Sequence, residues 1–172
     1  HVTQNPLVLN QRYGALLTTV VNNSWIPVTM LSLAANVARP LSAQPFLVTN
    51  VLVHVLNTGL VFWLAYLLSR RRLLVAVIAA LLFGIHPMRV ESVAWVSSRK
   101  DVLYAFFLLA GLIAYWRYLE KREWPWLALA FATFLLSCLS KGMAVVFPLL
   151  LVLLDFWKRR RVIGAYSSWA MA

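Results

Sequence analysis

Acidic residues are scarce in this chain: five Asp and Glu stand against sixteen Lys and Arg, and none of the five precedes Glu91. Cysteine is scarcer still. Cys138 stands alone inside an apolar run, which excludes an intrachain disulfide and a cysteine-rich metal site. There is no zinc signature, no glycine-rich phosphate loop and no nucleophile elbow, so the chemistries those motifs carry have no footing here. Residues 1–12 open on His-Val-Thr-Gln-Asn and lack the basic leader and apolar core of a signal peptide.

What the chain has instead is apolar length. It is 62% hydrophobic and only 12% charged, a balance that excludes disorder and argues against a soluble globule. Residues 46–69 contain no Asp, Glu, Lys or Arg, and at about 1.5 Å per helical residue such a stretch reaches across a bilayer. Further apolar runs follow at 73–85, 102–119, 124–140 and 143–157. The expected fold is therefore all-α, a polytopic transmembrane helix bundle of about five spans. The run at 73–85 is short for a crossing, so it either continues past Pro87 as a kinked helix or leaves a recess.

The net charge of +11 admits a nucleic-acid reading, but the placement of the cations opposes it. They gather at Arg70-Arg71-Arg72, at Arg117 with Lys121-Arg122, and at Lys158-Arg159-Arg160-Arg161, each cluster at the end of an apolar run and two runs apart. That is the spacing of cytoplasmic loops under the positive-inside rule, not a basic face on a soluble fold. Residues 1–45, the 86–101 segment and Lys141 then share the opposite, extracytoplasmic side. Residues 1–45 are broken by Asn22-Asn23-Ser24, Pro27 and Arg39-Pro40 and read as an extracytoplasmic loop with short interfacial helices. Residues 46–161 form the bundle, with a re-entrant segment at 86–101, and 162–172 a cytoplasmic-side tail.

Within the first span Asn50, His54 and Asn57 recur at helical spacing and share a face turned toward protein. The 86–101 segment concentrates the ionisable groups: His86, Arg89, Glu91, Arg99, Lys100 and Asp101. Taken as a helix from Pro87, it puts Glu91, Trp95 and Ser98 on one face. Cations here suit an anionic head group, and a carboxylate nearby suits proton transfer. The alternative is mutual neutralisation of Arg89 with Glu91 and Lys100 with Asp101, with Trp95 as a belt residue. A lone His54 is as well explained by a bond to a neighbouring helix. Asp155 is expected to pair with the adjacent basic cluster.

The string Gly84-Ile85-His86-Pro87-Met88-Arg89-Val90-Glu91-Ser92-Val93-Ala94-Trp95-Val96-Ser97-Ser98-Arg99-Lys100-Asp101-Val102-Leu103 resembles the signature of a family of multispanning GT-C type glycosyltransferases. These are bacterial relatives of the transmembrane and tetratricopeptide-repeat O-mannosyltransferases. Asn5-Pro6, Asn23, Trp25, Pro27, Thr29, Thr49-Asn50, His54, Asn57, Ser140-Lys141 and Leu153-Leu154-Asp155-Phe156-Trp157 agree in order, so the likeness covers nearly the whole chain. Ile26, Phe46 and Leu47 depart from it, standing where the family commonly has histidines.

The resemblance implies transfer of a sugar such as mannose from a polyprenyl-phosphate donor to a protein or glycan hydroxyl on the extracytoplasmic face. It implies no metal and no cofactor beyond that donor. Its partners would be the lipid bilayer, the lipid-linked sugar and the acceptor, with no nucleic acid. The likeness assigns Arg99, Lys100, Lys141 and Arg89 to the donor phosphate and Glu91 and Asp101 to catalysis, Glu91 by orienting Arg99 or the acceptor. His54, His86 and Asn57 are the remaining substrate contacts it suggests. Family members carry an acidic pair before the position matching His1, so the chain is expected to be a fragment without its catalytic base. The implied location is a bacterial inner membrane, with the endoplasmic reticulum as the alternative. Outside the resemblance, a lipid or solute transporter and a non-catalytic membrane scaffold remain the competing functions.

Overall fold

The computed structural model describes residues 6–10, 12–18, 20, 25–37 and 42–169, and all its regular elements are helical. Three short helices come first: α1 (Pro6–Leu9), α2 (Tyr13–Thr18) and α3 (Pro27–Ala35). The bundle proper follows with α4 (Gln44–Leu68), α5 (Leu73–Ile85), α6 (Arg89–Ala94), α7 (Arg99–Lys121), α8 (Trp124–Ser140) and α9 (Phe147–Trp169). Single 3-10 segments, Val96–Ser98 and Gly142–Val146, lead into α7 and α9. Asn5, Asn22-Asn23-Ser24, Arg39-Pro40 and residues 170–172 lie outside the described residues, as do the side chains of Arg159, Arg160 and Arg161.

Proline sets the starts. Pro27, Pro45 and Pro125 occupy the first turns of α3, α4 and α8, where the missing N–H has no intrahelical partner to lose. Pro87 sets a stop, because the residue before a proline is pushed to extended geometry and His86 adopts φ −61°, ψ 127°. Thus α5 ends at Ile85 and does not continue past Pro87 as a kinked helix; of the two alternatives, the recess is realised.

Two helical stretches among the described residues are long and apolar enough to cross a membrane: α4 and the continuous 3-10 and α7 run Val96–Lys121. Only 11% of the apolar window of α4 is buried, and 33% of that of the second, whereas a soluble core helix would be mostly covered. Five full-length crossings are therefore not what the fold displays: α5 and α8 are shorter apolar helices, and the apolar part of α9 ends at Lys158. The helix itself runs on through the basic cluster to Trp169, where a tail was expected.

The bundle is held by close approach. α7 packs between α4 and α8, with α9 against it. A Cβ added at Gly111 would lie 2.7 Å from both the Phe147 ring and Thr133 Oγ1, so α7, α8 and α9 meet where no side chain fits. At Gly84 an added Cβ would lie 3.1 Å from Thr58 Cγ2, so α5 also runs close against α4. In lipid, such small-residue contacts replace the hydrophobic drive that holds helices together in water. Leu67, Leu112, Trp116, Phe147 and Leu154 form the bundle core, while Val8, Leu16, Met30, Leu33, Ala34 and Phe46 form a second core in which the short helices pack onto the bundle.

Candidate functional site

Antiparallel alternation brings the start of α4, the end of α5, α6, the start of α7 and the end of α8 to one end of the bundle. The polar side chains of the buried face of α4 tie them together. Asn50, fully buried, donates through Nδ2 to the carbonyls of Trp95 (3.0 Å) and Val93 (3.3 Å). Asn57 donates to the Val102 carbonyl at 2.8 Å, and His54 Nε2 meets the Gly84 carbonyl at 3.1 Å. The face shared by Asn50, His54 and Asn57 thus staples α4 to α5, α6 and α7.

These bonds also explain a departure from expectation. Residues 87–101 are not one helix: Trp95 is extended at φ −105°, ψ 127°, separating α6 from the 3-10 turn. A continuous helix would use the Val93 carbonyl for its own amides; here Asn50 takes it, and the Trp95 carbonyl accepts from both Asn50 and the Ser98 amide of the 3-10 turn. Glu91 and Trp95 are consequently exposed while Ser98 is buried, so the three do not form one face.

Arg99 is the largest fully buried side chain. Its Nε donates to Asn50 Oδ1 at 2.6 Å, and Nη2 to the Phe46 carbonyl at 2.7 Å. Nη1 donates to Ser32 Oγ (2.9 Å), to the Ser32 carbonyl (3.3 Å) and to Asn36 Oδ1. The guanidinium is thus caged by neutral acceptors from α3, the residue after it and α4, without a carboxylate among the described residues. The cage residues Ser32 and Asn36 were not among the sequence candidates. Their i, i+4 spacing on an otherwise apolar helix was the available signal.

Asp101 pairs with Lys141, not with the adjacent Lys100, joining the first turn of α7 to the residue after α8. Both side chains keep about a quarter of their surface exposed, 26% and 28%. Thr29 Oγ1 donates to the Ser140 carbonyl at 3.0 Å, so α3 braces the same corner. Lys100 is half-buried and makes no ion pair among the described residues. Asp155 accepts a hydrogen bond from Tyr115 Oη at 3.2 Å, while the Arg159, Arg160 and Arg161 side chains of the basic cluster it was expected to serve lie outside the described residues.

The recess left by the short α5 is a pocket of about 300 Å³ lined by His54, Gly84, His86, Arg89 and Val93. Phe83 forms its sidewall brace: the His54 ring stacks on it at 5.5 Å and the Arg89 guanidinium lies 4.6 Å from its centroid. Arg89 is therefore held by an aromatic face and not by Glu91, which leaves its N–H groups for an anion. His86 Nδ1 accepts from the Met88 amide at 3.2 Å, which orients the ring at the pocket rim. Among the described residues no cluster of metal-ligating side chains occurs.

The structure thus divides the candidates. His54, His86 and Arg89 meet around one pocket; Asp101 and Lys141 meet each other; Arg99 and Asn57 point inward to structural acceptors. No family model and no solved structure matches the chain. Curated proteins do. Protein O-mannosyl-transferase Tmtc1 of Drosophila melanogaster is 32% identical over 151 residues, covering 87% of this chain and 18% of the relative. Protein O-mannosyl-transferase Tmtc2 of the same species is 32% identical over 160 residues, 85% of this chain and 16% of its own length. The chain's homologues are protein O-mannosyl-transferases.

Human protein O-mannosyl-transferase TMTC4 is 28% identical over 158 residues, 76% of this chain and 21% of itself. The chain spans about a fifth of the length of these O-mannosyl-transferases. A match covering 87% of the chain leaves out too few residues to miss any of α4 to α8, so the site end lies inside the shared region.

Proposed function

We propose that the chain is the core part of a membrane-embedded GT-C type glycosyltransferase that moves mannose from a polyprenyl-phosphate donor to a protein or glycan hydroxyl. The reaction site is the extracytoplasmic end of the bundle, in a bacterial inner membrane or, as the alternative, the endoplasmic reticulum. One observation carries this reading: the pocket of His54, His86 and Arg89 opens at the same end as Lys100 and the Asp101–Lys141 pair, in a chain whose relatives are named as mannosyltransferases.

The chemistry needs cations at that end. When the bond from the anomeric carbon to the donor phosphate breaks, its electron pair passes to phosphate oxygen, and the charge developing there must be met. Arg89 and Lys100 make no ion pair among the described residues and can meet it. Arg99, caged behind them, sets the start of α7 and adds positive potential without touching substrate, while Asp101 fixes Lys141 at the rim. The attacking hydroxyl must lose a proton, and of the two carboxylates at this end Glu91 is the exposed one. The extracytoplasmic acidic pair of the family would supply the principal base, with Glu91 orienting the acceptor. Charges gathered at the two ends of the bundle, and not spread through the membrane depth, favour transfer over transport.

Binding of a radiolabelled polyprenyl-phosphate mannose to the purified full-length protein tests the reading. Wild type should bind saturably, and Arg89→Ala/Lys100→Ala should bind at least tenfold more weakly, in line with charge-assisted contacts worth roughly 1.5–3 kcal/mol each. Equal binding by both would remove the pocket end as the donor site.

A further inference from the structure

The opposite end of the bundle carries a second feature. Arg70, Arg71 and Arg122 have φ of 58°, 64° and 59°, the left-handed region that L side chains rarely adopt. They close α4 and α7: the Arg71 amide bonds the Tyr66 carbonyl at 2.8 Å and the Arg122 amide the Tyr118 carbonyl at 2.8 Å. Helix ends of this kind ordinarily use glycine or asparagine, which adopt the conformation at little cost. Here every left-handed position among the described residues is an arginine, which points to a role for the charge that outweighs the strain.

The surroundings sharpen it. The Arg117 guanidinium lies 5.8 Å from the Trp63 ring centroid, joining the ends of α4 and α7, and Lys158 lies 5.8 Å from Trp116, bringing in α9. The acids among them are engaged: Glu120 accepts from Arg117 (3.4 Å) and Trp116 Nε1 (3.0 Å), and Glu123 from Trp126 Nε1 (3.1 Å). Arg70, Arg71, Arg72 and Arg122 are exposed and make no ion pair among the described residues. Guanidinium forks at the level of Trp and Tyr rings suit phosphate at a bilayer surface.

We propose that the α4–α5 and α7–α8 turns form a binding surface for the phosphate headgroups of anionic bilayer phospholipids, seated on Arg70, Arg71 and Arg122. This rests on the chain lying in a membrane and is independent of glycosyl transfer. The test places the full-length protein in nanodiscs of phosphatidylcholine, with and without phosphatidylglycerol. Flotation first verifies insertion, so a failure of the membrane reading is seen separately. Wild type should retain phosphatidylglycerol on native mass spectrometry and unfold at higher temperature in its presence. Arg70→Gly/Arg71→Gly/Arg122→Gly relieves the left-handed strain, so it should be at least as stable as wild type in phosphatidylcholine. The same variant should lose on the order of a hundredfold in lipid preference, since three cations at about 1 kcal/mol each are removed. The corresponding triple lysine variant should keep most of that preference. Equal enrichment in wild type and the glycine variant, an inserted wild type without enrichment, or an equal gain from inorganic phosphate alone would each overturn the proposal.

Discussion

A buried guanidinium with only neutral partners makes Arg99 the residue on which the site end depends most. Deleting it leaves the buried Asn50 and Phe46 acceptors unpaired, each at about 1–3 kcal/mol. Arg99→Ala should therefore lower the thermal midpoint in detergent by far more than Lys100→Ala, and Arg99→Lys should recover only part, because one ammonium cannot span a fork of three acceptor directions. A Lys100→Ala midpoint as low as that of Arg99→Ala would contradict this. The Asp101–Lys141 pair is partly exposed, so a double-mutant cycle on stability should return a coupling of only about 0.2–1 kcal/mol. A coupling of several kcal/mol would show it to be a structural clamp instead. At this scale the sequence was half legible. Asn50, His54 and Asn57 read correctly as an inward face because a 3.6-residue period needs no tertiary knowledge. Whether Arg99 or Lys100 turned inward did not read, because that depends on where Ser32 and Asn36 of α3 dock, which no local pattern encodes.

Among the elements, the glycines separate contact from freedom. Gly111→Ala should destabilise by about 1–3 kcal/mol, because its methyl would overlap the Phe147 ring and Thr133. Gly59 sits in the interior of α4 with nothing within 4 Å of an added Cβ, so Gly59→Ala should stabilise by about 0.4–1 kcal/mol. Thermal unfolding of the two variants in one detergent checks the pair, and opposite signs are required. Helix boundaries were the most legible feature: the extents at Leu73–Ile85 and Trp124–Ser140 follow directly from basic flanks and proline. The break at Trp95 was not, since Glu91-Ser92-Val93-Ala94-Trp95-Val96 contains neither glycine nor proline. A tertiary hydrogen bond from Asn50 makes that break.

For the molecule as a whole, the separation of charge between the two ends is the claim that topology can check. With Cys138 replaced by serine, Met88→Cys and Arg71→Cys should label with impermeant maleimide from opposite sides of sealed vesicles. Labelling from one side would place both ends in one compartment and dissolve the arrangement. The five helices α4, α5, α7, α8 and α9 were legible as apolar runs, whereas crossing length was not guaranteed by them: α5 and α8 are apolar yet short. The proposed transfer depends on chemistry at the pocket end. The most direct measurement is transfer of labelled mannose from its polyprenyl phosphate by full-length protein, comparing wild type with Arg89→Ala in membranes of equal protein content. A fall of about 10²–10³ in turnover, the effect of losing one preorganised charge-stabilising donor, is expected. Unchanged turnover with Arg89→Ala and with Lys100→Ala would contradict the assignment of this end as the site of transfer.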